Sequence, residues 1–197
     1  MLLNEPFGGV IPGARGAALA TLLRTGEPLT GRRVHELARG NHSLGAIQQG
    51  LDSWVRLGVI HSRLIGRAKL YSIVETHGAV SALRALVDPW RILRSAVEQH
   101  IDSSVAAVIV FGSTSRDTAT PDSDIDLAII ASSDWTGQYD LQDSVSAATG
   151  NPCDVLLFTP GEFHNAATKG EPVVAEIMRD GITLFGEKPQ LLGKVTR

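Results

Sequence analysis

Phe111-Gly-Ser-Thr-Ser-Arg-Asp-Thr-Ala-Thr-Pro-Asp-Ser-Asp-Ile-Asp-Leu-Ala-Ile129 is the stretch on which the reading of this chain turns. Gly112-Ser113 follows an apolar run, where a strand ends and a helix would begin. A glycine there lets backbone N–H groups approach an anion, a helix N-terminus favours negative charge, and the serine hydroxyl can bond phosphate oxygens. Pro121-Asp122-Ser123 reads as a turn delivering the next strand. Asp124 and Asp126 are then two apart, so on a strand they share a face while Ile125 turns into the core. Two carboxylates held side by side repel unless a cation lies between them. Mg²⁺ suits this position, because it takes oxygen ligands and shares its shell with substrate phosphates.

Outward from this stretch the pattern is that of an α/β unit. Val105–Phe111 is a continuous apolar run, as for a strand covered on both faces; Asp126–Ala131 is a second and Asp154–Phe158 a third. Tyr139–Ala148 can form a helix, with further helical segments around Phe163–Ala167 and Val173–Met178, and Gly181–Phe185 reads as a last edge strand. Asp154 opens its strand and offers a third carboxylate. Three carboxylates can hold two magnesium ions, one at an attacking hydroxyl and one at the triphosphate.

The spacing Gly112-Ser113, ten residues, Asp124-Ile125-Asp126 resembles that of the DNA polymerase β-like nucleotidyltransferase superfamily, in particular the minimal nucleotidyltransferases of bacteria and archaea. The resemblance spans Val105 to Phe185, roughly two-fifths of the chain. It implies transfer of a nucleoside monophosphate from an NTP, ATP being the expected donor, with release of pyrophosphate. It further implies that Gly112 and Ser113 hold the triphosphate, that Asp124 and Asp126 hold the metals, and that Asp154 helps deprotonate the acceptor hydroxyl. Arg116 matches an arginine common after the Gly-Ser pair, touching phosphate or bracing the loop. Asp117 departs from the family, which usually has glycine there, and sets a negative charge near the expected phosphate site. Minimal nucleotidyltransferases of this kind often act as antitoxins that modify a partner toxin, so the resemblance implies transfer to a hydroxyl of a protein or other acceptor.

The front half reads differently. Ala17–Leu23 has helical apolar spacing that stops at Gly26-Glu27-Pro28; Thr30 caps a short helix through Val34, Leu37 and Ala38, ended by Gly40-Asn41. Ser43 caps a longer helix with Leu44, Ile47, Leu51, Trp54, Val55 and Leu57 inward, stopped by Gly58. Strand-like runs Val59–Leu64 and Ala68–Val74 flank Gly66-Arg67. Helix, helix, helix, hairpin is the order of a winged helix-turn-helix, and the pattern resembles bacterial winged-helix regulators. The expected contacts to double-stranded DNA are Ser43, Gln48, Gln49, Ser53 and Arg56 on the third helix and Arg63, Arg67 and Lys69 on the wing. Charge agrees. Residues 1–87 carry ten Lys/Arg and five Asp/Glu, a balance of +5, whereas residues 88–197 carry eight and sixteen, a balance of -8, together the chain's -3. A protein-docking use of the same module remains the alternative. Regulators of this class usually dimerise, so a homodimer is expected.

The fold expected is therefore mixed α+β. It comprises a winged helix-turn-helix at 14–76, connecting helices at 77–100 and a polymerase β-like α/β domain with a small mixed sheet at 101–190. His77–Val87 is helical in pattern, and Asp88-Pro89 restarts a helix that runs to about His100. The composition, 43% hydrophobic and 20% charged, is that of a globular protein without a bilayer-crossing run. Met1–Gly16 is broken by Glu5, Pro6, Pro12 and Arg15, so no signal peptide is expected, and the single Cys153 fits a reducing cytoplasm. Cys153 itself reads as a small buried filler, and the six histidines show no ligand spacing, so no zinc site is indicated. The leading expectation is a DNA-binding nucleotidyltransferase acting as an autoregulating antitoxin. Its competitor is a winged-helix transcriptional regulator whose second domain is a non-catalytic nucleotide sensor or docking platform.

Overall fold

A computed structural model describes residues 1–189. The chain divides into two compact units: Leu3–Pro89, and Met1–Leu2 with the chain from Trp90 onward.

The first unit is built on α1 (Gly13–Thr25), α2 (Gly31–Leu37) and α3 (Leu44–Arg56). Gly26, at φ +70°, stops α1 in the left-handed conformation that glycine takes freely. The hydroxyl of Thr30 accepts from Arg33 N–H and that of Ser43 from Ala46 N–H, capping the next two helices. Ile47, Leu51 and Trp54 of α3 meet Leu19 and Leu22 of α1 in one core. Trp54 Nε1 donates to the Arg15 carbonyl at 2.9 Å, under the Arg15 guanidinium. Leu44 and Leu57, expected inward, are 37% and 53% exposed, because they lie at the two ends of the helix where the core stops. Strands β2 (Ile60–Ile65) and β3 (Ala68–Ile73) pair antiparallel, and a two-residue strand β1 (Leu29–Thr30), with no signal in the sequence, adds to β3 to give the order β1-β3-β2. The helix expected from His77 begins later, as α4 (Val80–Leu86), because His77 Nδ1 accepts the Ala79 N–H in a turn instead. Phe7, in a short 3₁₀ segment (Pro6–Gly9), is fully buried at φ +57°.

The second unit begins with α5 (Pro89–Glu98), then β4 (Val105–Phe111), the one-turn α6 (Gly112–Ser115) and β5 (Ile125–Ala131). After these come α7 (Gln138–Thr149), β6 (Cys153–Phe158), α8 (Pro160–Lys169), α9 (Pro172–Asp180) and β7 (Ile182–Gly186). The strand order is β6-β5-β4-β7, parallel between β5 and β6 and antiparallel elsewhere, a small mixed sheet. Residue 190, the end expected for this domain, lies outside the described residues. Alternation along β4 and β5 sends Ala107, Ile109, Phe111, Ala128 and Ile130 to one face, packed on Phe163 and Ala166 of α8 and Val174 and Ile177 of α9. Val108, Val110, Leu127 and Ile129 take the other face and are equally buried.

β6 departs from expectation. Read as a strand covered on both faces, it is instead an edge strand with Leu156 and Leu157 37% and 40% exposed. Two amides of α7 cap its carbonyls: Gln142 Nε2 donates to Cys153 at 2.8 Å and Gln138 Nε2 to Val155 at 3.4 Å. Those side chains occupy acceptors that an open strand edge would otherwise present.

Candidate active site

The sheet register brings the sequence's two signals together. Phe111, the last residue of β4, pairs with Asp126 of β5, and Asp126 pairs with Asp154 of β6. Gly112 therefore begins where the Asp126 side chain stands. A Cβ on Gly112 would lie 2.1 Å from Asp126 Oδ2 and 3.0 Å from its Cγ, and Gly112 sits at φ +69°. Both facts demand glycine: the conformation disfavours a side chain, and the carboxylate fills the space one would take. Ser113 is half-buried beside it, its carbonyl accepting Thr118 N–H at 3.0 Å. The helix expected after the Gly-Ser pair is a single turn, so it offers the field of one turn and not of a long dipole.

Asp126 is half-buried, whereas Asp124, just before β5, and Asp154 are exposed; Ile125 goes to the opposite face and is 2% exposed. The Asp126 carboxyl titrates above its ordinary value of 3.8. Desolvation is the main cause, followed by the negative charges of Asp154, Asp124 and Glu176, with Arg116 opposing them. Glu176, on α9, forms an ion pair with Arg116. Arg116 thus braces the loop against α9. The oxygen donor set fits a hard divalent cation, and burial, seconded by the like charges, disfavours an unneutralised Asp126 carboxylate. As they stand, however, the carboxylates are not drawn together around one point: among the described residues no three His, Cys, Asp or Glu side chains are grouped to hold an ion.

The loop between the cradle and β5 is held from beneath by Asn151, a residue the sequence reading passed over. Its side chain, 2% exposed, donates from Nδ2 to the carbonyls of Pro121 at 3.1 Å and Ser123 at 2.9 Å. The Pro152 carbonyl accepts Ile125 N–H at 2.8 Å, so the turn before β6 fixes the start of β5. The one available clue was the Asn151-Pro152 turn dipeptide. Glu176 had none, being one glutamate on an amphipathic helix. Asp117 stands at φ +59°, in a turn where its own N–H is donated to Thr114 at 3.4 Å, and its side chain is exposed. Cys153 is buried beside the site, its thiol pushed up to about 12 by desolvation and then by Asp154 and Asp126. Two concavities of about 430 and 420 Å³ lie elsewhere on this unit, one at Leu157, Glu162 and Lys169 and one at His100, Asp102 and Asp134.

In the first unit Gln48, Gln49 and Arg56 are exposed along α3 and Ser53 is half-buried; Ser43 spends its hydroxyl on the helix cap. Arg63 and Arg67 are exposed on the hairpin, while Lys69 bonds Asp52 at 2.8 Å and lies over the Tyr71 ring.

With the cradle and carboxylates on one sheet face, the comparison with known families becomes informative. Residues 93–190 match the family model Polymerase beta, Nucleotidyltransferase. Residues 93–190 are thus nucleotidyltransferase-like. Solved structures similar to the chain include a toxin–antitoxin bound to AMP-PNP, 21% identical over 50% of this chain and 74% of that one, with a TM-score of 0.39. A Shewanella oneidensis complex of a tri-AMPylated HEPN toxin with MNT antitoxin matches at 16% identity over 50% and 73%, TM-score 0.33. TrmBL2, an archaeal chromatin protein with a novel mode of DNA binding, matches at 13% over 83% and 71%, TM-score 0.30. No curated protein matches the chain in sequence.

Proposed function

We propose that the nucleotidyltransferase-like unit transfers a nucleoside monophosphate from ATP to a hydroxyl on a partner protein, and that the first unit is a winged helix-turn-helix that binds double-stranded DNA. The observation that carries the catalytic half is the abutment of Gly112 on Asp126, with Asp154 in register beside it. On this reading the phosphate cradle and the carboxylates act as one site. Gly112 leaves room for the Asp126 carboxylate at the cradle, where the backbone N–H groups that open the helical turn and the Ser113 hydroxyl bond the triphosphate oxygens. Asp154, exposed at the start of β6, accepts the proton of the acceptor hydroxyl. The hydroxyl oxygen forms its bond to the α-phosphorus as the bond to the pyrophosphate oxygen breaks, and pyrophosphate leaves. Asp124, Asp126 and Asp154 would hold two magnesium ions, which supply neutralisation of charge on the triphosphate and leaving group.

The DNA-binding half rests on the +5 balance of residues 1–87 and on exposed Gln48, Gln49, Arg56, Arg63 and Arg67. Together the halves fit a cytoplasmic, dimeric antitoxin that modifies a partner toxin and represses its own operon. The described residues contain no helix long and apolar enough to cross a membrane. Two observations favour a second reading, a regulator with a non-catalytic nucleotide site: Arg116 is engaged by Glu176, and among the described residues the carboxylates are not grouped to hold an ion.

The test is label transfer. Full-length protein with Mg²⁺ and α-labelled ATP, mixed with the product of the adjacent gene, should label that product, and Asp124→Ala or Asp126→Ala should abolish it. Nucleotide binding without transfer would select the second reading. A gel-shift on the protein's own promoter should weaken with salt and with Arg63→Ala or Arg67→Ala; binding indifferent to both would remove DNA.

A further inference from the structure

The hairpin of the first unit ends in an apolar tip that its own core does not use. Leu64 is 76% exposed and Ile65 50%, and they are the last two residues of β2, opposite Lys69 and Ala68. Neighbouring residues of a strand point to opposite faces. Both faces of the ribbon are therefore bare at this level. The turn beyond them is two residues, Gly66 at φ +60° and Arg67, a tight connection that keeps the tip narrow.

Charge indicates what meets this tip. From Ile60 to Ile73 the hairpin carries Arg63, Arg67 and Lys69 and no Asp or Glu. Lys69 is occupied by Asp52, while Arg63 and Arg67 are exposed beside the aliphatic pair. Aliphatic side chains edged by guanidinium groups match a stacked base step edged by phosphates, where the bases take the aliphatics and the phosphates the cations. An anionic membrane offers the same two chemistries. A two-residue tip buries too little to hold a bilayer, however, and the exposed amides Gln48 and Gln49 of the same unit suit base edges, not lipid.

We propose that Leu64 and Ile65 form a wedge that enters the minor groove, partly unstacks one base step and kinks the duplex, with Arg63 and Arg67 on the flanking phosphates. The proposal rests on the DNA-binding reading of this unit and adds a mechanical act to it. It makes the bend separable from the binding. Affinity comes largely from the cations and is salt-dependent; the kink comes from the aliphatics and is not.

The experiment uses full-length protein and end-labelled duplexes of about forty base pairs that contain flexible TA and CA steps. Energy transfer between the ends reads the bend, and fluorescence anisotropy over a salt series reads affinity. Wild-type protein should bend the duplex by about 20–90°. Leu64→Ser/Ile65→Ser should remove most of the bend and weaken binding by up to about tenfold, with the salt slope unchanged because no charge is lost. Both positions are exposed, so circular dichroism should show an intact fold. Arg63→Ala/Arg67→Ala should instead lower the salt slope by about two while the bound complex stays bent. The wedge is overturned if wild-type protein binds without bending, or if the serine variant bends the duplex as well as wild type. A wild-type dimer that the serine variant dissolves would assign the tip to a protein interface, and tip-dependent binding to phosphatidylserine vesicles would assign it to lipid; either removes the wedge. Absence of any wild-type binding at low salt would instead remove the DNA-binding reading beneath it.

Discussion

Replacing Gly112 with alanine should disable the site and weaken the unit that carries it, and the size of the effect can be worked from two distances and an angle. Gly112 sits at φ +69°, a conformation that costs an L-residue about 1–2 kcal/mol. The new Cβ would stand 2.1 Å from Asp126 Oδ2 and 3.0 Å from Cγ. Asp126 cannot retreat as a whole, because its backbone is locked opposite Phe111 and beside Asp154. The carboxylate must instead turn away, and a side chain forced off its preferred rotamer costs about 0.5–1.5 kcal/mol. The total is roughly 1.5–3.5 kcal/mol.

Gly150 supplies the reference. It ends α7 at φ +74° with nothing within 4 Å of a built Cβ, so Gly150→Ala should lose only the backbone share, about 1–2 kcal/mol. The excess at Gly112, about 1 kcal/mol, belongs to the Asp126 carboxylate. It should disappear in the Asp126→Ala background, where the nearest surviving Asp126 atom is Cβ at 3.4 Å. Urea unfolding of the single and double variants, with label transfer measured on the same samples, gives every number required. If Gly112→Ala is no more damaging than Gly150→Ala, or if its excess persists without the carboxylate, the contact between cradle and carboxylate is not what the glycine is for.

Three further outcomes are expected. Because burial and like charges raise the folded pKa of Asp126, its contribution to stability is complete below 3.8 and is lost as pH rises through the raised value. Asp126→Asn should therefore raise Tm at about pH 7.5, with the gain shrinking towards about pH 4, while label transfer is abolished; Mg²⁺ should raise the wild-type Tm at the same neutral pH, and a Tm that falls for the variant would contradict the charge argument. Asn151→Ala removes both donations to the Pro121 and Ser123 carbonyls, and the acceptor of the Met1 ammonium, in a site 2% exposed. It should lose about 2 kcal/mol, with faster proteolysis of the 118–124 loop; a small loss with unchanged proteolysis would show that these hydrogen bonds do not hold the loop. The Cys153 thiol, raised to about 12, should resist thiol reagents at about pH 8 until the unit unfolds, and prompt labelling of native protein would contradict its burial.

The sequence was legible where one local rule sufficed. The caps at Thr30 and Ser43, the stop at Gly26 and the strands β4 and β5 follow from residue type and spacing, because each is decided by its nearest neighbours. The Gly-Ser and Asp-Ile-Asp signals lay on the page as well, but their juxtaposition depends on β4 and β5 pairing at Phe111 and Asp126. What was not legible is long-range. Strand β1 is two residues that exist as a strand only because β3 lies beside them, and Phe7 adopts a left-handed conformation only because a buried place for its ring outweighs the strain. Apolar runs alone could not distinguish β6, an edge strand guarded by Gln138 and Gln142, from a covered one. Glu176 reaches the site through the docking of α9 on the sheet, which no spacing in its own helix announces.

Asp117 shows how the two levels correct one another. From the sequence it is a charge out of place, set where nucleotidyltransferases of this kind usually have glycine. In the structure the position has φ +59°, the region glycine enters freely and that aspartate tolerates better than most residues. A position in this region favours glycine for a conformational reason, and aspartate is among the few other residues that satisfy it. Its side chain is exposed, and the charges that raise Asp126 are Asp154, Asp124 and Glu176, not Asp117. The raised Asp126 carboxyl thus owes its shift first to burial and then to the neighbouring carboxylates and Glu176 of α9. Asp117 is, in the folded chain, a backbone solution to the turn that follows Arg116.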